Sequence, residues 1–214
     1  MRFLPALPLA AALVLAVAAC GGGGGAVRVA KTTAAPAKPK ACPYVAGWQK
    51  LADRIHAPVY CPSWLPDPLK AQIGGRWNNI DSVSKDRSYL ISFLWQDTDG
   101  PNTTGELHVN LRAYPGRTKI PTCEDTLIGS GKPRHVKLPC FADPHGRRTI
   151  NGIRFTEYTV NQGADQWHIL YAWRYRGSLY TISEHRAPPL TYAHVVRYLN
   201  KIMQNLVLVR PSAA

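Results

Sequence analysis

The spacing of apolar side chains predicts a helix at the start of the folded part of the chain. Between residues 43 and 57, apolar residues recur at intervals of three and four, which is the period of an amphipathic helix. They are Val45, Trp48, Leu51, Ala52 and Ile55. Pro43 suits the first helical position, and the helix is expected to end near Pro58. Residues 59–68 contain three prolines, which predicts an extended crossing or a turn.

A period of two begins at residue 89, and this is the pattern of half-buried strands. Its apolar positions are Tyr89, Ile91, Phe93 and Trp95 in one segment and Leu107, Val109, Leu111 and Ala113 in the next. Turn-forming residues at 97–102, including Asp97 and Asp99, separate the two segments. Further on, Asn151-Gly152 lies between two isoleucines and predicts a tight hairpin.

Another pair of strands is predicted in the last third of the chain. Alternate positions from 167 to 175 are apolar or aromatic, namely Trp167, Ile169, Tyr171, Trp173 and Tyr175. Gly177 and Ser178 can turn the chain back into a second strand over residues 179–183. We expect this hairpin at the centre of the sheet, with its aromatic stripe in the core.

A closing helix completes the predicted fold. Pro188 and Pro189 end the strands, and Thr191 offers a helix cap. The apolar stripe that follows comprises Val195, Val196, Leu199, Ile202, Met203 and Leu206. The sequence therefore predicts an α+β fold in two layers, in which an antiparallel β-sheet is packed by an N-terminal helix and a C-terminal helix.

The N-terminal segment has a different composition from the rest of the chain. Residues 1–19 carry one charged side chain and a short apolar run, which is the pattern of a signal peptide. Residues 20–41 are rich in glycine, alanine, proline and lysine and predict a flexible basic linker. We expect residues 42–214 to form a single extracytoplasmic domain.

The sequence Val17-Ala18-Ala19-Cys20 resembles the lipobox of bacterial lipoproteins. This resemblance implies cleavage before Cys20, attachment of diacylglycerol to its thiol, and a location on the outer face of the cytoplasmic membrane. The alternative is an ordinary secretory signal with an accidental cysteine. The stretch from Leu170 through His185, with the helix after it, is also similar to extracytoplasmic domains of uncharacterised actinobacterial lipoproteins, a likeness that implies no known activity.

Four cysteines remain in the expected exported domain, where an even number favours disulfides. Four cysteines allow three pairings, and we favour Cys42 with Cys61 and Cys123 with Cys140 because each pair closes a short local loop. The alternative is a zinc site, but the chain has no C-x-x-C pair and no two histidines at metal-ligand spacing. We therefore expect neither a metal nor a cofactor.

The charge balance is strongly basic, with 26 Lys and Arg against 13 Asp and Glu. Such a surface is attracted to anionic membranes and polymers. By strand parity, Arg154, Arg174 and Arg176 share a face with His168, which suggests an anion-binding patch. The alternative is a solvated polar face. The compartment argues against nucleic acid as a partner.

No catalytic motif is evident. The chain lacks both G-x-S-x-G and a P-loop, and its histidines are isolated from one another in the sequence. Glu184 and His185 are neighbours on a predicted strand, so their side chains point to opposite faces. The sequence favours a non-enzymatic lipoprotein that binds an anionic envelope component, a lipid or a partner protein. The alternative function is a small hydrolase or wall-modifying enzyme whose site is not recognisable from sequence.

Overall fold

The computed structural model describes residues 40–72, 83–96, 106–127, 132–188 and 190–213. The predicted signal peptide, Cys20 and the predicted turn at 97–102 lie outside the described residues. Those predictions therefore remain predictions.

The described chain contains two α-helices and ten strands. The helices are α1 (Val45–Ile55) and α2 (Tyr192–Gln204). The strands are β1 (Val59–Pro62), β2 (Tyr89–Gln96), β3 (Glu106–Tyr114), β4 (Thr122–Leu127), β5 (Arg134–Pro139), β6 (Phe141–Ile150), β7 (Ile153–Asn161), β8 (His168–Tyr175), β9 (Ser178–His185) and β10 (Leu206–Val209). This arrangement confirms the α+β class, with one helix near each end of the domain.

The main sheet has six antiparallel strands in the order β2-β3-β9-β8-β7-β6. The β8–β9 hairpin occupies the two central positions, as predicted. Its turn consists of Arg176 and Gly177, whose φ angles are 46° and 74°. The predicted hairpin at Asn151-Gly152 also forms, with φ angles of 51° and 72°, which suit the tight turns that connect twisted strands.

The larger hydrophobic core lies between one face of this sheet and the two helices. Both helices bury an apolar face: Trp48, Leu51 and Ile55 of α1 and Leu199 and Ile202 of α2 are at most 1% exposed. Alternation along the strands supplies the other half of the core. Its fully or nearly fully buried members include Ile91, Phe93, Val109, Tyr171, Trp173, Tyr180 and Ile182.

A smaller core lies on the opposite face of the sheet, beside the β4–β5 hairpin. Phe141, Leu170 and Leu179 are buried there, and partly buried Tyr114 and Ile120 pack against them. The Cys123–Cys140 disulfide joins β4 to the residue that precedes β6.

Both predicted disulfides are confirmed. The second one, Cys42–Cys61, joins the segment before α1 to β1. The two bridges close loops with sequence separations of 19 and 17 residues. Loops of this length correspond to a stabilisation of about 3 kcal/mol each in the chain-entropy model.

The prediction for Trp167 was wrong. Strand β8 begins one residue later, at His168, and Trp167 is 71% exposed with a φ of 65°. Its left-handed backbone takes it out of the strand, so alternation no longer assigns its side chain to the core face.

The prediction for Leu206 also needs correction. This residue begins β10, which pairs with β1 across the chain. The segment expected to be an extended crossing or a turn is extended at residues 59–62, where it forms strand β1 because β10, distant in sequence, satisfies its backbone. Within the described ranges, neither helix combines the length and the apolar character needed to cross a bilayer.

Candidate functional site

An open cleft of about 1160 Å³ lies at the end of the sheet where the β6–β7 hairpin approaches β10. We call it the arginine cleft, because Arg147, Arg154 and Arg174 line it. Thr149, Thr156 and Tyr158 contribute hydroxyl groups to its wall, and Tyr60, Leu206 and Leu208 contribute apolar surface.

Strand register brings the arginines together. In the β6–β7 pair, Arg147 is opposite Thr156 and Thr149 is opposite Arg154. Arg174 comes one residue after Trp173, whose partner is Phe155. Because side chains alternate between the faces, Phe155 and Trp173 enter the core while Arg154 and Arg174 are exposed on the opposite face.

The hairpin tip next to the arginine cleft is tied to the β1–β10 pair. The side-chain amide of Asn151 donates to the carbonyl of Leu206, at 3.3 Å. On the β1 side, the ring of Tyr60 makes edge contacts with Trp173 at 5.2 Å and with Tyr180 at 5.0 Å. These contacts fix the apolar wall relative to the arginines.

The arginine cleft is electropositive. Among the described residues that line it, none is an aspartate or a glutamate. No ion pair to Arg147, Arg154 or Arg174 forms within the described part of the chain. Arg174 is oriented by a hydrogen bond from its Nε to the carbonyl of Thr118, at 2.8 Å. The guanidinium groups therefore have donors available for an anion.

The neighbouring Arg148 has a different role. It contacts the carboxylate of Glu157, which also accepts a hydrogen bond from the hydroxyl of Tyr192. Glu157 is fully buried, so this cation balances an internal carboxylate that would otherwise be unpaired. Arg148 therefore stabilises the fold, on the face of the sheet that the helices cover, and does not line the arginine cleft.

The predicted anion-binding residues are only partly brought together. Arg154 and Arg174 share the arginine cleft, where Arg147 joins them. Arg176 lies in the β8–β9 turn, with its guanidinium carbon 5.7 Å from the centroid of the Tyr175 ring, and is not among the lining residues. His168 lies at the other end of β8 and is only 2% exposed.

His168 belongs to a cluster of three histidines on the face of the sheet opposite the two helices. Its ring centroid is 4.9 Å from that of His108 and 5.2 Å from that of His185. The carboxylate of Glu106 lies 3.1 Å from Nδ1 of His185 and 3.3 Å from Nδ1 of His108. We call these four residues the histidine cluster.

A buried hydrogen-bond network adjoins the histidine cluster and is centred on Asp165. One oxygen, Oδ1, accepts from Asn110 Nδ2 at 2.9 Å and from Ser183 Oγ at 2.7 Å. The other, Oδ2, accepts from Arg112 Nε at 2.9 Å. Asp165 ends the short 3₁₀ turn Gly163–Asp165, so this network docks the turn onto strands β3 and β9.

The network does not have the order of a serine-hydrolase triad. Ser183 lies between His168 and Asp165, donating to the carboxylate while its oxygen is 2.9 Å from Nδ1 of His168. A triad needs the histidine in the middle, with the serine hydroxyl free to attack. Ser183 is also only 1% exposed.

His168 is a neutral side chain at physiological pH. Burial lowers its pKa to about 3, and the attraction of Asp165 opposes this shift. The 3.9 Å contact between His168 Nδ1 and Asp165 Oδ1 is therefore not an ion pair. Within the described residues, no group of three or more His, Cys, Asp or Glu side chains is arranged to hold a metal ion.

Sequence reasoning missed the histidine cluster because its members come from three different strands. His168 and His185 are directly paired across β8 and β9, while His108 lies on the adjacent β3. The sequence indicated only which face of its own strand each histidine is on. Whether the three faces coincide depends on which strands are neighbours and in which register they pair.

Comparisons of the chain with protein-family models, with curated proteins and with solved structures found no match.

Proposed function

We propose that this protein is an exported lipoprotein, anchored through Cys20, whose domain binds an anionic envelope component in the arginine cleft. The observation that carries the proposal is the grouping of Arg147, Arg154 and Arg174 around one cleft whose described lining contains no carboxylate. The overall excess of basic residues, 26 against 13 acidic ones, supports it.

The chemistry of the cleft suits phosphate groups. A guanidinium presents several N–H donors in a planar fork that matches phosphate and carboxylate oxygens. The hydroxyl groups of Thr149, Thr156 and Tyr158 can donate to further oxygens of the same ligand. A phosphate-bearing polymer or lipid headgroup provides several such groups in a row, and the predicted linker would keep the domain close to either one.

Retention on immobilised polyphosphate tests the role of the cleft. The full chain, solubilised in neutral detergent, should be retained at about 0.05 M salt and released at about 0.3 M, because screening weakens exposed charge pairs. Replacing Arg154 and Arg174 together by Gln should weaken retention by about tenfold or more.

The matched control removes two positive charges elsewhere. Arg134 and Arg197 are exposed, on β5 and α2, and neither lines the arginine cleft. Their double replacement by Gln should change retention by less than about threefold. If the two double variants lose retention equally, binding depends on net charge and the cleft has no special role.

Vesicles with and without phosphatidylglycerol, added as competitors, then distinguish a lipid headgroup from a soluble phosphate polymer.

The lipid anchor is tested separately. Growth with a labelled fatty acid should label the wild-type chain and leave the Cys20→Ser variant unlabelled. Label in that variant would contradict attachment at Cys20. Failure of this test would not affect the binding proposal, because the arginine cleft lies in the folded domain.

A further inference from the structure

We propose that a second site, the groove around Trp167, binds a neutral saccharide. This groove of about 610 Å³ lies beside the ends of β7 and β8, and its volume falls within the usual range for ligand sites. The residues that carry the argument are Asn161, Gln162, Gln166, Trp167 and Arg186. It shares no lining residue with the arginine cleft.

The structure holds a large aromatic side chain out in solvent at this groove. Trp167 is 71% exposed and has a φ of 65°, a conformation that costs free energy for any residue with a Cβ. Two contacts keep it there: the Asp165 network docks the preceding turn, and the backbone N–H of Arg186 donates to the carbonyl of Trp167 at 3.0 Å. Strain that persists around an exposed side chain is typical of a binding site.

A buried acceptor without a partner lies in the same groove. The side chain of Asn161 is oriented by its amide nitrogen, which donates to the carbonyl of His168 at 2.6 Å. Its oxygen, Oδ1, has no hydrogen-bond partner among the described residues, and Asn161 is only 6% exposed. A buried polar atom in this state is costly, and a hydroxyl or N–H donor from a ligand would satisfy it once the Asn161 side chain turns toward the groove.

These two features together fit a sugar ring. One face of many pyranose rings carries only C–H groups, whose positive edges are attracted to the negative face of an indole. The hydroxyls on the rim of the ring can exchange hydrogen bonds with the amides of Gln162 and Gln166, and they can donate to Asn161 Oδ1 once that side chain turns toward the groove. A large exposed apolar surface next to planar polar groups suits a ligand that has an apolar face and a polar rim.

The charges at the groove favour a neutral ligand over an anion. Asp125 and Arg186 both line it, and their opposite charges leave no excess of either sign. This differs from the arginine cleft, where the described lining is basic without acidic residues. The saccharide site therefore does not depend on the function proposed for the arginine cleft.

Titration calorimetry with defined trisaccharides tests the inference on the full chain. The probes are triacetylchitotriose, cellotriose and maltotriose, with glycerol as a polyol that has no ring. We expect saturable binding of at least one trisaccharide and none of glycerol. Trp167→Ala should weaken that binding by about tenfold or more, because it removes the stacking surface.

Two further variants separate binding from folding. Trp95, on edge strand β2, is 38% exposed, and Trp95→Ala should leave binding unchanged. Trp167→Gly relieves the left-handed backbone, so it should raise the melting temperature while abolishing binding.

The proposal is overturned if no trisaccharide binds saturably. It is also overturned if Trp167→Ala binds like the wild-type chain, or if Trp95→Ala loses binding equally. Loss of saccharide binding in the Arg154→Gln, Arg174→Gln double variant would place the ligand in the arginine cleft and would likewise contradict the groove.

Discussion

Glu184 is a carboxylic acid placed in the larger hydrophobic core. It lies on β9 between Val109 of β3 and Ile169 of β8, and its side chain is fully buried. Neither of its oxygens has a hydrogen-bond partner among the described residues. Burial without a partner disfavours the charged form, and it raises the pKa of Glu184 from 4.5 to about 9. The side chain is therefore protonated in the folded protein at neutral pH.

This pKa makes the free energy of unfolding depend on pH with a definite sign. Between pH 4.5 and about 9 the folded state holds one proton that the unfolded state has released. Each unit of rising pH therefore lowers the free energy of unfolding by about 1.4 kcal/mol. Raising the pH from about 7 to about 8.5 should cost about 2 kcal/mol.

The interval from about pH 7 to about pH 8.5 lies above the pH range in which the buried histidines change the free energy of unfolding. Burial lowers the pKa of His168 from 6.5 to about 3, and it lowers the pKa of His108 as well. These shifts have the opposite effect on stability, because the unfolded state then binds the extra protons. The histidines change the free energy of unfolding only at pH values up to about their unfolded pKa of 6.5. Above pH 7 their contribution is therefore nearly constant.

Urea denaturation at about pH 7 and pH 8.5 measures the effect. The wild-type chain should lose about 2 kcal/mol across this interval, while Glu184→Gln should lose almost none, because its side chain does not titrate. Glu124 is exposed on β4, and Glu124→Gln should behave like the wild-type chain. Equal pH dependence in the wild-type chain and Glu184→Gln, or a wild-type stability that does not change over this window, would refute the reasoning.

Three more predictions concern stability. Asp165→Ala should lower the free energy of unfolding by about 3 to 5 kcal/mol, because it leaves Arg112 without its partner; a loss below about 1 kcal/mol in urea would show that the pair is solvated. Replacing both Cys123 and Cys140 by Ser should cost about 3 kcal/mol, and reductant should cost the wild-type chain more than this, because it also breaks Cys42–Cys61. Trp167→Gly should raise the free energy of unfolding by about 1 kcal/mol in the same assay, and a decrease would show that the φ of 65° carries no strain.

Much of the fold could be predicted from neighbouring residues alone. The three-and-four spacing that begins at Val45 predicted α1, and Thr191 does cap α2 by accepting a hydrogen bond from His194. Asn151-Gly152 predicted its hairpin, and the short loops predicted both disulfides. These features depend on side-chain period and local loop closure, which act within about twenty residues.

Only part of the candidate sites could be predicted in this way. The alternation of side chains correctly placed Arg154 and Arg174 on one face. It also grouped them with His168, which is at the opposite end of β8 from Arg174 and is buried. It assigned Trp167 to the core because it assumed that the strand began one residue earlier. A single left-handed residue is enough to end the alternation, and nothing in the local sequence marks that position.

The sequence by itself determined the class of fold and the central hairpin, and it favoured the observed pairing among the three possible for the cysteines, because each depends on residues that are close along the chain. The tertiary structure alone decided that β1 pairs with β10, that three strands bring the histidine cluster together, and that Asn161 and Trp167 share a groove. Those outcomes depend on which distant strands pair and in which register, and a shift of one residue would move every side chain of a strand to the other face.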